Sequence, residues 1–181
     1  IATFDHQIDR PVVTVEDLAA LSDDDSDLPD AIPPISKAPT SGGSTGRPKL
    51  ILAGQPGVTP RETPEVGGFR IRPVDTLLIP APLYHNAPFG MMMSATALGC
   101  HVVLTPRFDP EQTLAEIQAR KATWVYLVPT MMNRIWHLPG EVKNRYDLST
   151  VETLWHMAAP CPDWLKEAFI HWIAPGEAME L

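Results

Sequence analysis

From Asp75 onward, short apolar runs alternate with helical segments, and no other feature limits the fold of this chain so sharply. Thr76-Leu77-Leu78-Ile79, His101-Val102-Val103-Leu104, Trp124-Val125-Tyr126-Leu127-Val128 and Thr153-Leu154-Trp155-His156-Met157 are dominated by apolar residues without strict alternation. That is the pattern of strands covered on both faces. Helix signals fill the gaps. Residues 87–98 are closed by Gly99, and residues 130–136 and 162–173 carry helical periods. Asp109 precedes Pro110 and Glu111, so an N-cap, a first-position proline and a first-turn acid coincide, and Leu114 with Ile117 forms an inward stripe. The alternation predicts an α/β fold, a mostly parallel sheet with flanking helices and right-handed crossovers. Ligands of such sheets gather beyond the strand C-termini. His85, Thr130 and Ala158-Ala159-Pro160 each follow a strand and are expected to share one rim.

The first third of the chain reads differently. Residues 1–39 are expected to be an irregular segment holding one short helix over 14–20 and an acidic linker, Ser22-Asp23-Asp24-Asp25-Ser26-Asp27, while residues 40–181 form the α/β unit. The chain has 20 prolines in 181 residues, about twice the usual share, and residues 54–73 read as a long connection. A net charge of −8 argues against a nucleic-acid surface. No run of 18 apolar residues is present, so no transmembrane helix is expected. Cys100 and Cys161 lack metal or redox spacing and read as reduced, buried thiols, which favours a cytoplasmic location.

Residues 40–49 read Thr40-Ser41-Gly42-Gly43-Ser44-Thr45-Gly46-Arg47-Pro48-Lys49. Glycines let backbone pass close to a ligand, hydroxyls and consecutive N–H groups supply donors, and Lys49 supplies positive charge. That combination suits a polyphosphate. A Walker loop is excluded by count, since the residues five after Gly42 and Gly43 are Arg47 and Pro48; a G-x-G-x-x-G fingerprint fails at Ser44. A flexible Gly/Ser linker is the competing reading, against which the closing Arg-Pro-Lys weighs. For Lys49 itself the alternative is a plain surface lysine.

The run resembles the Ser/Thr/Gly-rich phosphate loop of the adenylate-forming superfamily, which includes acyl-CoA synthetases, peptide-synthetase adenylation domains and luciferases. Leu50 stands where that family commonly has a glycine, and Gly42-Gly43 where Ser-Gly is common. The resemblance continues through Pro82-Leu83-Tyr84-His85-Asn86, Phe108-Asp109-Pro110-Glu111, Val128-Pro129-Thr130-Met131 and Ala158-Ala159-Pro160-Cys161-Pro162, in family order. It implies part of the large domain of an ATP-dependent acyl-CoA ligase, with ATP, Mg²⁺, coenzyme A and a small carboxylic acid as its partners. It implies a phosphate site at Thr40, Ser41, Gly42, Gly43, Ser44, Thr45, Gly46 and Lys49, with Thr45, Lys49 and His85 acting in catalysis. Tyr84, His85 and Asn86 would face the acyl group; Ala158, Ala159 and Pro160 would lie against adenine; no protein metal cage is expected. The wording of the first two motifs is nearest to bile-acid and steroid-type ligases, which implies a bulky apolar acid. Loading of a carrier-protein thiol, and a nucleotide-binding module without catalysis, are the alternatives.

Taken alone, His85 could be a general base, a gate between acyl and thiol sites, or a histidine capped by backbone. Met91-Met92-Met93 points in three helix directions, so core packing is expected for most of it. Trp124, Trp136, Trp155, Trp164 and Trp172 are expected to pack, and His101, His137, His156 and His171 receive no role. The resemblance also implies an adenine-stacking motif, a ribose-binding aspartate, a hinge and a C-terminal domain with a catalytic lysine beyond Glu180-Leu181. These 181 residues alone are therefore expected not to catalyse, and to self-associate through exposed sheet edges.

Overall fold

The expected strands form, and they assemble into one parallel sheet. The computed structural model describes residues 32–40, 49–54, 56–57, 69–173 and 178–180. The expected helix at 14–20, the acidic run and residues 41–48 of the glycine-rich run lie outside the described residues. The elements are β1 (Thr76–Ile79), α1 (Asn86–Ala97), β2 (His101–Leu104), α2 (Pro110–Arg120), β3 (Trp124–Leu127), α3 (Pro129–Trp136), α4 (Gly140–Lys143), β4 (Thr153–His156), α5 (Asp163–Trp172) and β5 (Ala178–Glu180). Strand order is β2-β1-β3-β4-β5 and every pairing is parallel. The short α4 and β5 add to the expected set. Residues 49–53, whose apolar Leu50-Ile51-Leu52 suggests a short strand leaving the glycine-rich run, form no strand of this sheet and hold only a bridge between Leu50 and Thr40.

Alternation along each strand sorts the core into two layers. Leu77, Ile79, Trp124, Tyr126 and Trp155 face one side with Met91 and Ala95 of α1. Leu78, Val125, Leu127 and Leu154 face the other, against Leu114 and Ile117 of α2, Met132 and Ile135 of α3, and Leu165 and Phe169 of α5. Each fully buried aliphatic or phenyl side chain contributes about 1.5–3 kcal/mol. Four of the five tryptophans pack as expected, but Trp164 is 50% exposed because it points outward from the first turn of α5. Cys100 and Cys161 are free thiols, half-buried rather than buried. Met91 is core, whereas Met93 on the opposite face of α1 is exposed.

Helix α2 shows how local signals fix an element. The Asp109 carboxylate accepts from Gln112 N at 2.9 Å, Pro110 occupies the first turn, and Lys121 ends the helix in the left-handed region at φ 51°. That ending turns the chain directly into β3.

The N-terminal edge of the sheet is held by one polar knot. The buried Asp75 carboxylate accepts from the Arg72 backbone N at 2.7 Å, from Arg72 Nη2 at 2.7 Å and from Thr123 Oγ1 at 2.9 Å. Thr123 Oγ1 accepts from Thr76 N at 3.1 Å, and Thr123 O accepts from Glu152 N at 2.8 Å and Thr153 N at 2.9 Å. Arg72 also pairs with Glu152, and its carbonyl accepts from Cys100 Sγ at 3.1 Å. The approaches to β1, β2, β3 and β4 are thus tied at one point. Burial alone pushes the Asp75 carboxyl up, but the hydrogen bonds from Arg72 and Thr123 outweigh it and hold it below its ordinary 3.8.

Replacing Asp75 by Ala is expected to cost about 2–4 kcal/mol of stability, because buried donors lose a charged acceptor. Urea denaturation measures it. Because the folded carboxyl is more acidic than the unfolded one, its contribution is complete above its ordinary value of 3.8 and is lost as pH falls through the depressed value. The wild type should therefore lose more stability than Asp75→Asn on acidification below about pH 4, an estimate set by the ordinary aspartate range.

Candidate functional site

A sheet ordered β2-β1-β3 has its topological switch between β1 and β3: the chain leaves β1 for β2 on one side and returns to β3 on the other. Connections diverge there, and they leave a crevice beyond the strand C-termini. A cavity of about 530 Å³ occupies this place. Three separate segments close it. After β1 come Ala81, Pro82, His85, Asn86, Ala87 and Pro88; Tyr126, Val128, Thr130 and Met131 come from the end of β3 and the start of α3; Met157, Ala158 and Ala159 follow β4.

His85 stands at the N-cap position of α1, yet its side chain caps nothing. Backbone does the work: His85 N donates to Pro82 O at 3.2 Å, and His85 O accepts from Phe89 N at 3.2 Å. The imidazole instead lies beside the Tyr84 ring, with centroids 4.5 Å apart. Among the described residues, no backbone group hydrogen-bonds the imidazole. Asn86 and Thr130 are exposed on the same rim.

Ala158 carries a backbone constraint. Its φ is 78°, one of three positive values at non-glycine residues among the described ones. A Cβ in this region is strained by about 1–3 kcal/mol, so only glycine or a very small side chain suits the turn that leaves β4. Small residues are thereby enforced where Ala158 and Ala159 face the cavity.

The arms of the glycine-rich run are pinned to each other. Thr40 and Leu50 form an antiparallel bridge, Ile51 N donates to Pro39 O at 2.8 Å, and Ala53 N donates to Lys37 O at 3.0 Å. Further along, Gly57 N donates to Pro33 O at 2.9 Å, and a Cβ at Gly57 would meet Pro33 Cγ at 2.6 Å, so this crossing requires glycine. Lys37 Nζ lies 3.7 Å from the Cβ position of Gly90, which lays the first arm along α1. Thr40 and Lys49 are exposed at the ends of the two arms.

Of the residues singled out in the sequence, His85, Asn86, Ala158 and Ala159 converge on the cavity together with Thr130. Tyr84 and Pro160 do not line it; Tyr84 is 82% exposed. Ser41, Gly42, Gly43, Ser44, Thr45 and Gly46 lie outside the described residues. Ala81, Tyr126 and Met157 were not singled out as site residues, and only Tyr126 carried a signal, a polar tip within an apolar strand. Among the described residues, no cluster of three or more His, Cys, Asp or Glu is placed to hold a metal ion, and no helix is long and apolar enough to cross a membrane.

Comparison with known proteins agrees with this architecture. The family model for AMP-binding enzymes matches residues 23–178. The chain belongs to the AMP-binding enzyme family. It is 31% identical over 159 residues to a feruloyl-CoA synthase from Amycolatopsis sp, covering 87% of this chain and 32% of that protein. It is 28% identical over 156 residues to 4-coumarate–CoA ligase 1 from Solanum tuberosum, covering 82% and 28%. The chain thus spans about a third of the length of these relatives. Its fold is similar to the inhibitor-bound N-terminal domain of FACL13 from Mycobacterium tuberculosis, with TM-score 0.73 and 19% identity over 91% of this chain and 40% of that one.

Ala158→Gly should remove the strain at φ 78° and raise stability, offset in part by about 0.4–1 kcal/mol of unfolded-state entropy. Ala158→Val, β-branched at a positive φ, should lower it by about 1–3 kcal/mol. Thermal denaturation of the pair checks the order; a valine variant as stable as the glycine one contradicts it.

Proposed function

We propose that this chain is part of an ATP-dependent acyl-CoA ligase, an acid–thiol ligase of the cytoplasm. The observation that carries the proposal is the switch-point cavity, closed by three family-motif segments beside the pinned arms of a phosphate-type run. In this reaction the acid's carboxylate oxygen attacks the α-phosphorus of ATP, and the α–β bridging oxygen leaves with pyrophosphate. The thiol of coenzyme A, losing its proton, then attacks the acyl carbon and expels AMP. The carboxylate is already ionised near neutral pH, so no strong base is required for the first step.

Each residue then has a task. The donors of residues 40–46 and the Lys49 ammonium hold the polyphosphate and stabilise charge as it moves to the leaving group. Mg²⁺ would arrive shared with the nucleotide, since it commonly keeps phosphate and water ligands rather than a full protein cage. Ala158 and Ala159 let a flat base approach backbone, and Pro160 continues that edge. His85 and Asn86 position the acyl carboxylate at the rim, with Tyr84 holding the imidazole. For the acid, the motif wording favours a bulky apolar body, and the names of the relatives point to aryl-propenoates. Both suit a cavity walled by Ala81, Val128, Met131 and Met157. Self-association through exposed Leu104 on edge strand β2 and exposed Trp164 remains part of the proposal.

The test is pyrophosphate exchange and thioester formation by the full-length protein over a panel of carboxylic acids. Exchange dependent on acid and ATP, followed by thioester with coenzyme A, is expected; neither with any acid would falsify the reading. Lys49→Ala should weaken Mg·ATP binding about ten- to a hundred-fold, the scale of a charge-assisted contact, with thermal stability nearly unchanged. Calorimetry decides, and equal affinities count against the assignment. Ala158→Trp should raise the ATP KM while leaving acid preference intact; the opposite split would assign the segment to the acyl pocket.

A further inference from the structure

Residues 76–106, which build β1, α1 and β2, contain no Asp, Glu, Lys or Arg, although 20% of the chain is charged. A helix at a protein surface normally turns charged or polar residues outwards. Helix α2 does so with Glu111, Glu116 and Arg120, and α5 with Asp163 and Glu167. Helix α1 does not. Its Met91 and Ala95 enter the core, while Phe89, Gly90, Met93 and Ala97 follow Asn86 at helical spacing along the opposite side, where Phe89 and Met93 are exposed. The arms laid beside α1 add exposed Leu50, Ile51 and Leu52. Aromatic and methionine side chains without charge are the composition of an interface core, not of a solvated face.

One charge meets this face. Lys37 Nζ lies 3.7 Å from the Cβ position of Gly90, in the middle of the outer stripe of α1, and it has no hydrogen-bond or ion-pair partner among the described residues. In contact with water the ammonium needs none. Beneath a covering layer it is strongly destabilising unless a carboxylate meets it. The face therefore specifies its occupant by charge as well as by apolar area: an uncharged surface with one acidic group.

We propose that the outer face of α1 and the arms beside it seat an apolar layer of the same polypeptide, from outside these 181 residues, which carries a carboxylate opposite Gly90 to receive Lys37. Two observations choose this occupant. The chain covers only 40% of the FACL13 domain of similar fold, so most of such a domain is built from other residues. Charge argues against a second copy. A two-fold pairing sets this face against itself, and neither α1 nor the described residues of the arms offer a carboxylate, so two ammonium groups would be buried unpaired. Once seated, the layer clamps the arms of the glycine-rich run against the helix whose first turn lines the cavity.

The methionines of α1 serve as reporters, since Met91 is 0% and Met93 50% exposed on the described surface. The full-length protein is treated briefly with dilute hydrogen peroxide, and the sulfoxide at each methionine is located by tandem mass spectrometry. Light scattering fixes the mass of the species treated. In the wild-type monomer Met93 is expected to react about ten-fold or more slowly than in the same protein unfolded in urea, as Met91 does, because oxidation then waits for local opening. Lys37→Glu, which sets carboxylate against carboxylate, should return Met93 to near its unfolded rate while Met91 stays protected; Lys37→Arg should keep both protected. Lys37→Gln, a milder change with the same expected direction, decides where Lys37→Glu exposes Met91 too. A wild-type Met93 that reacts near its unfolded rate overturns the proposal, as does protection found only in a dimer, the mark of a second copy. Protection that survives both Lys37→Glu and Lys37→Gln also overturns it, since no carboxylate then stands opposite Gly90.

Discussion

The buried carboxylate of Asp75 is the fixed point on which the geometry of this sheet depends. A parallel sheet receives no register from hairpin turns, since each strand arrives by a crossover. Register must come from the hydrophobic pattern and from contacts at the strand ends. Here Asp75 gathers Arg72 and Thr123, Thr123 carries the backbone of Thr76, Glu152 and Thr153, and Arg72 reaches Glu152 and Cys100. Four approaches are aligned by one ion and its donors. A slip by one residue in any strand would turn its buried face towards the wrong layer, and it would also break this knot. The two constraints are redundant, which suits strands of only four residues.

Alignment at one edge has a consequence at the other. The paired strands β1, β2, β3 and β4 are equal in length, so fixing their starts brings Ile79 and Leu104 to one level and Leu127 and His156 to a level one residue beyond it. The loops that follow then rise from a common level, and the switch between β1 and β3 opens a cavity among them. Helix α1 covers one face while α2, α3 and α5 cover the other, as two opposite right-handed crossovers require. The cavity lies on the α1 side, under the turn that carries His85. Its place is thus set by topology, and its lining by whichever residues the three loops present.

How much of this could be read beforehand follows from the range of each interaction. The strands and longer helices were legible because continuous apolar runs and cap signals such as Asp109-Pro110-Glu111 are local. The shared rim of His85, Thr130 and Ala158 was legible because it needs only topology. Helix α4, four residues long after Pro139, and β5, three residues long, are too short to show a period. The knot at Asp75 was not legible, since Thr123 and Glu152 lie far along the chain. The strain at Ala158 was hidden because its φ is a property of the turn, not of alanine. Trp164 misled because a tryptophan in an amphipathic helix usually faces inward, and this one falls on the outer side. Tyr126 read as strand because it lies within a continuous apolar run, and no local pattern says that a cavity opens beside it.

The two edges of the sheet differ in how completely their polar groups and backbone are satisfied. At the N-terminal edge Asp75 has three kinds of donor and Thr123 both donates and accepts. At the C-terminal edge Ala158 sits at a positive φ, and His85 occupies a cap position without capping through its side chain. Both are local departures from what stability alone favours, and both border the same cavity. Strain and unpaired polar groups persist where the surrounding structure over-determines them and where a ligand completes them. The hydrogen-bonded edge supplies the first condition: it fixes the strands from which the strained turn at Ala158 leaves.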